Sequence, residues 1–182
     1  MLELSLHILD IVENSTRAGA KTVYITITED TTRDVLTLEI QDDGSGMSED
    51  LLKKAMDPFF TTKKVRNIGL GLPMLAQAAE RTDGKFIIES KGGEGTRVAV
   101  EFKLNHIDRQ PLGDIASTLV TLIAGNTDVD FIYRHQHNDR KYILDTRDVK
   151  REIDDVPINH VEVLNFIRGH IQEGLKEIGT EA

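Results

Sequence analysis

The chain has 182 residues, with 22 lysines and arginines against 31 aspartates and glutamates, a net charge of −9 and no cysteine. That length carries one sizeable core or one domain with an appendage. The missing cysteine excludes disulfides, thiolate metal sites and a cysteine nucleophile, and an acidic balance without any lysine- or arginine-rich block argues against nucleic-acid binding.

No apolar run approaches the ~18–20 residues that cross a bilayer. The opening MLELSLHILD has no basic leader and carries acids early, so a cytoplasmic protein without a membrane span is expected. Residues Leu2 to Ala20 read as a helix with two faces. Leu4, Ile8 and Ile11 form an apolar stripe suited to packing on a sheet. Asp10, Asn14 and Arg17 form a second row at the same spacing. An acid, an amide and a base in that order suit a magnesium–phosphate site: Asn14 can offer its carbonyl oxygen to the metal, Arg17 can neutralise phosphate and Asp10 can take a proton from water. An exposed helix face with its own polar network accounts for the same row.

After Gly19, Val23, Ile25 and Ile27 alternate with polar residues as a strand, residues 29–34 form a polar turn, and Leu36, Leu38 and Ile40 mark a second strand. The two are expected as an antiparallel hairpin with the first helix on one face. The second strand runs into Asp42, Asp43, Gly44, Ser45, Gly46 and Met47. A carboxylate at a strand end followed by two glycines allows a ligand to approach the backbone. Asp42 can accept a hydrogen bond from an exocyclic amine such as that of adenine, and would reject guanine, which presents an acceptor there. A plain Asp-Gly loop fits the same residues.

Ser48 reads as the N-cap of a short helix that ends before Asp57 and Pro58. Phe59 and Phe60 can anchor a loop whose Thr61, Thr62, Lys63 and Lys64 form a lid over phosphate; a solvated basic loop is the plainer reading. Gly69, Leu70, Gly71 and Leu72 open the next helix, whose N-terminus after glycines presents free amides to an anion. A strand at Phe86 and Ile88, a turn at residues 91–96 and a strand through Val98, Val100, Phe102 and Leu104 follow. Residues 1–104 thus read as an α+β two-layer α/β sandwich of about four strands with helices on one face.

In order, the runs VENSTRAGA, DDGSGM, DPFFTTKK, GLGL and GGEGT resemble the five sequence boxes of the GHKL superfamily, which joins DNA gyrase, the large heat-shock chaperones, histidine kinases and MutL. The resemblance covers residues 1–104 and implies a Bergerat-type ATP-binding fold with ATP and Mg2+ as ligands. By that resemblance, Asn14 is the magnesium ligand and Asp42 the adenine-binding carboxylate. Gly44, Gly46 and Met47 line the base pocket. Lys63, with Gly69, Leu70, Gly71 and Leu72, holds phosphate, and Thr96 supports Asp42. The phenylalanine-containing box and the GLGL run look most like the catalytic domain of histidine kinases, and Arg17 sits where those carry a basic residue; the run around Asn14 looks more like MutL. At Asp10 the ATPases of the superfamily carry a glutamate as general base and histidine kinases an asparagine. Asn67 departs from the glycine common in the kinases.

Residues 105–182 read as an α-β-β-α appendage: a helix through Leu112 to Ile123, a hairpin through Val129 to Leu144, a short helix capped by Thr146, and a last helix capped by Asn159 that buries Val161, Leu164, Ile167, Ile171, Leu175 and Ile178. Its role stays open between packing on the sheet and completing its core, forming a homodimer, and docking a partner. Among the histidines, His7 reads as structural; His135 and His137 share a strand face and can bind a metal, although no third ligand is evident; His160 does not resemble a phosphoacceptor. The leading expectation is an ATP-binding protein like a stand-alone histidine kinase catalytic domain, transferring the γ-phosphate to a separate protein. An ATP-hydrolysing switch of the MutL or gyrase type, with Asp10 as base, and a non-catalytic ATP sensor are the alternatives. Whether the chain is an enzyme is left between protein kinase and slow ATPase.

Overall fold

A computed structural model describes residues 2–56 and 71–180. The expectations placed on Asp57 to Leu70, Lys63, Gly69 and Leu70 among them, lie outside the described residues.

Helix α1 (Leu4–Arg17) buries Leu4, Ile8, Ile11 and Val12, the stripe its period predicts. Its N-cap, Glu3, makes no side-chain capping bond. The amides of Leu4 and Ser5 instead donate to the carbonyls of Pro111 and Leu112 at 2.9 and 2.8 Å, so a segment about a hundred residues downstream closes the helix end. Strands β1 (Thr22–Asp30) and β2 (Val35–Asp42) pair antiparallel, with Val23 opposite Asp42. Helix α2 (Glu49–Ala55) begins as expected at Ser48, whose hydroxyl accepts from the Leu51 amide at 3.3 Å. Helix α3 (Gly71–Glu80) and strands β3 (Lys85–Lys91) and β4 (Gly95–Lys103) follow, and β4 pairs with both β3 and β2.

The C-terminal segment supplies helix α4 (Ile115–Gly125), strands β5 (Asp130–His137) and β6 (Arg140–Asp145), and helices α5 (Thr146–Ile153) and α6 (Val161–Ile178). Its hairpin joins the first sheet: β5 lies parallel to β1, Thr22 opposite Asp130 through Glu29 opposite His137, and the six strands run β3-β4-β2-β1-β5-β6. Strand β1 would otherwise leave a row of unpaired amides and carbonyls at a sheet edge. Helix α4 packs on α1 and α6 on α4. One core cluster runs from Leu4 to Ile178, so the C-terminal segment packs on the sheet and extends its core. Strands β1 and β2 alternate as expected, with Val23, Ile25, Ile27, Leu36, Leu38 and Ile40 buried and Tyr24 exposed. Ile87 of β3 and Ile143 of β6 are exposed, whereas β5 departs from alternation and buries Phe131, Ile132 and Tyr133 in a row.

Several C-terminal details differ from expectation. Asp145 caps α5, accepting from the Arg147 amide at 2.9 Å, while Thr146 is buried as the acceptor of the Phe131 amide. Helix α6 is capped by His160, and Val161 is 65% exposed; the buried stripe of α6 begins further along, at Ile167. Gly174 of α6 faces the Tyr142 ring so closely that an added Cβ would collide with it. Gly174→Ala is therefore expected to lower unfolding free energy by about 1–3 kcal/mol, read as a shift of the urea midpoint without a change in slope.

The histidines are held in hydrogen bonds. His135 is buried between Glu29 (Nε2 to Oε1, 2.7 Å) and the Tyr133 hydroxyl (Nδ1, 2.6 Å), and His137 Nδ1 donates to the Ile178 carbonyl at 2.9 Å. Among the described residues no group of three or more histidines, aspartates or glutamates is placed to hold a metal ion. His7 is buried on α1, and its Nε2–H donates to Gln110 Oε1 at 3.0 Å. Its Nδ1 has no partner among the described residues. Burial lowers its pKa below 6.5, partly opposed by the bond to Gln110. The unfolded chain then takes up a proton that the folded one refuses, so this contribution is complete above about 6.5 and is lost as pH falls below it. His7→Gln is expected to flatten that acid-side slope in melts recorded from neutral to mildly acidic pH.

Candidate functional site

Strand parity explains why the site carries a buried carboxylate. Leu36, Leu38 and Ile40 face the core, and Asp42, two residues on, faces the same way and is 7% exposed. A carboxylate there needs partners. Asp42 Oδ2 accepts from the Ser15 hydroxyl of α1 at 2.6 Å, and Oδ1 accepts from the Gly44 amide at 2.9 Å. Asp43, of opposite parity, turns outward, and its Oδ1 accepts from the amides of Lys21 and Thr22 at 2.7 and 2.9 Å. Burial pushes its carboxyl upward, but the backbone amides outweigh that and hold it below the usual range.

The turn between β3 and β4 clasps the loop that follows Asp42. The Gly93 amide donates to the Ser45 carbonyl at 2.7 Å, and the Met47 amide donates to Ser90 Oγ at 2.8 Å. Ser90 Oγ also lies 2.8 Å from Thr96 Oγ1 and donates to the Gly95 carbonyl at 3.1 Å. Gly46 has φ +62° and Gly95 φ +88°, and a Cβ at either would strike backbone, the Lys91 carbonyl for Gly46 and the Asp42 carbonyl for Gly95. These two positions need glycine on both grounds.

Between α1, this loop and the start of β4 lies a cavity of about 340 Å³. Of the residues singled out from sequence, Asn14, Arg17, Asp42, Gly46, Met47, Leu72 and Thr96 line it. Gly44 sits behind Asp42, where its amide bonds the carboxylate. Among the described residues Asn14 Oδ1 has one long contact, from Arg17 Nη1 at 3.3 Å, while Arg17 Nη2 pairs with Glu13 at 2.7 Å. That pair is solvent-exposed and so contributes little to stability. Asp10 lies one turn before Asn14, outside the cavity lining, with its carboxylate against Gly71 at the start of α3; a side chain at position 71 would collide with it.

Ser15 and Ser90 were missed from sequence. Ser15 continues the Ile8–Ile11 stripe, and Ser90 shares the parity of Phe86 and Ile88. A hydroxyl in an apolar row is the signal that marks each, because it needs a buried partner.

A family model described as "Histidine kinase-, DNA gyrase B-, and HSP90-like ATPase" matches residues 2–106. Among curated proteins, the chain is 33% identical over 88 residues to Sporulation kinase C of Bacillus subtilis, covering 48% of this chain and 20% of the relative. It is 41% identical over 64 residues to Sporulation kinase E of the same organism (35% and 8%) and 32% identical over 97 residues to the sensor protein DegM of a Bacillus species (53% and 26%). The chain thus spans about a quarter or less of these relatives. Among solved structures it resembles the N-terminal domain of a DNA repair protein (TM-score 0.53, 16% identity, 80% of this chain and 53% of that one) and the Aquifex aeolicus MutL ATPase domain complexed with ADP (TM-score 0.52, 13% identity, 80% and 63%). At these identities the structural likeness concerns the fold alone.

Proposed function

The chain belongs to the histidine kinase-, DNA gyrase B- and HSP90-like ATPase family, an ATP-binding family, and on that premise we propose that it binds magnesium–ATP in the cavity beside Asp42 and passes the γ-phosphate to a separate protein in signalling. The observation that carries this reading is the buried Asp42 carboxylate, held by two donors on the wall of a cavity that also presents Asn14, Met47 and Thr96. Asp42 accepts from the adenine amine, Gly46 and Met47 bound the base, and Thr96 supports the carboxylate's side of the pocket. Asn14 Oδ1 is a hard oxygen donor with one long contact among the described residues, which suits the single protein ligand of a magnesium ion that otherwise keeps phosphates and waters. The ion, when bound, supplies charge neutralisation between phosphates. Arg17, Lys63 and the run Gly69, Leu70, Gly71 and Leu72 are assigned to phosphate by their match to the family boxes.

In this reading catalysis is positioning plus charge, and the nucleophile comes from another chain. The similarity to sporulation and sensor kinases favours transfer to a protein acceptor. A neutral histidine acceptor needs no base. The placement of Asp10 against Gly71 favours a second reading, slow hydrolysis with Asp10 taking the proton of the attacking water.

The test follows γ-labelled ATP with the purified protein, with Asp10→Asn and Asn14→Ala as comparisons. ATP binding without phosphate release, and label passing to a co-purified protein in a reaction that Asn14→Ala abolishes and Asp10→Asn spares, is the expected result. Phosphate release lost in both variants would establish the hydrolytic reading. Absence of ATP binding would end both.

A further inference from the structure

Ser15 sits inside α1, 4% exposed, with two acceptors in reach of its one hydroxyl hydrogen: the Ile11 carbonyl at 3.3 Å and Asp42 Oδ2 at 2.6 Å. The shorter, charge-assisted bond holds the hydrogen. The helix itself gains nothing from serine here, since alanine has the higher propensity and a buried hydroxyl costs stability unless bonded. Among the described residues Asp42 is gripped at both oxygens, by a backbone amide fixed in a turn and by this one side-chain hydroxyl. The carboxylate torsion is intrinsically broad. With Gly44 alone it swings about one oxygen; with both donors its plane is set, and each oxygen keeps a lone pair for a ligand.

We propose that Ser15 is a specificity-determining positioning residue: it aims the Asp42 carboxylate so that its free lone pairs meet the 6-amino group of an adenine nucleotide. The proposal rests on the reading that this cavity takes ATP. Ser15 acts only through Asp42, and Asp42 acts only on the amine. A nucleotide without that amine is therefore blind to Ser15.

The experiment titrates the protein, Ser15→Ala, Asp42→Asn and the double variant with ATP and with purine riboside triphosphate, which carries hydrogen in place of the 6-amine, alongside thermal melts. Ser15→Ala is expected to weaken ATP about tenfold, to leave purine riboside triphosphate within about twofold, to keep a single cooperative melt at a lower midpoint because the buried carboxylate loses a donor, and to add nothing in the Asp42→Asn background for ATP binding. Equal weakening of both nucleotides, unchanged ATP affinity, or full additivity with Asp42→Asn overturns the positioning role while leaving ATP binding intact. Failure of the parent protein to bind either nucleotide removes the ATP reading, and this proposal with it.

Discussion

Asp42→Asn is expected to weaken ATP by about 10- to 100-fold and to improve the relative affinity for inosine triphosphate, whose base carries a carbonyl in place of the 6-amine. The orientation of the new amide is decided by its neighbours. The Gly44 amide is a donor 2.9 Å from Oδ1, so asparagine must keep its oxygen there and turn Nδ2 toward Ser15. The Ser15 hydroxyl can then accept, sending its own hydrogen to the Ile11 carbonyl, which lies at 3.3 Å. A donor now stands where the adenine amine needs an acceptor, and the loss is that of a charge-assisted bond to a buried group plus a donor facing a donor. An inosine carbonyl finds the donor it needs. Calorimetric titration with the two triphosphates checks this, with a melt to confirm the fold. Parallel losses for both nucleotides would mean that Asp42 acts on the loop and not on the base.

Gly46→Ala is expected to abolish nucleotide binding within the measurable range, more than about 100-fold, and to lower stability by about 2–4 kcal/mol. The position has φ +62°, and a Cβ there would strike the Lys91 carbonyl. The obstacle is backbone of a hairpin turn, not a side chain that can rotate away. To admit the methyl, the loop after Asp42 must separate from the β3–β4 turn. That motion stretches the Gly93–Ser45 and Met47–Ser90 bonds that shape the pocket wall. Gly92→Ala, in the same turn but with open space around its added Cβ, is the matched control and should bind and melt like the parent. Equal behaviour of the two variants would show that the clasp yields easily and does not shape the pocket.

Patterns of short range determined much of this protein from sequence alone. Period-two alternation identified β1, β2, β3 and β4. Helical spacing identified the buried stripe of α1, and the Ser48 cap marked the start of α2. Seven of the residues picked out by motif, Asn14 and Asp42 among them, meet at one cavity. Asn14, Arg17, Asp42, Leu72 and Thr96 sit at an element end or on a helix face whose direction local geometry already sets, and Gly46 and Met47 sit in the loop that follows Asp42.

Contacts between distant segments were decided only by the tertiary structure. Nothing local in Val129 to Tyr133 announces a parallel partner in β1, since the alternation that marks a strand is silent about its neighbour; the unpaired edge of β1 made that pairing favourable. The linker carbonyls of Pro111 and Leu112 that close α1 are likewise invisible in a local window. Adjacent candidates for one cap, Asp145 and Thr146 or Asn159 and His160, differ by a single residue, and burial of Thr146 beneath the Phe131 amide settled the first. Ser15 and Ser90 read as ordinary hydroxyls until folding set each against a buried partner. A polar side chain's worth depends on what desolvates it and what it bonds, and both are properties of the assembled core.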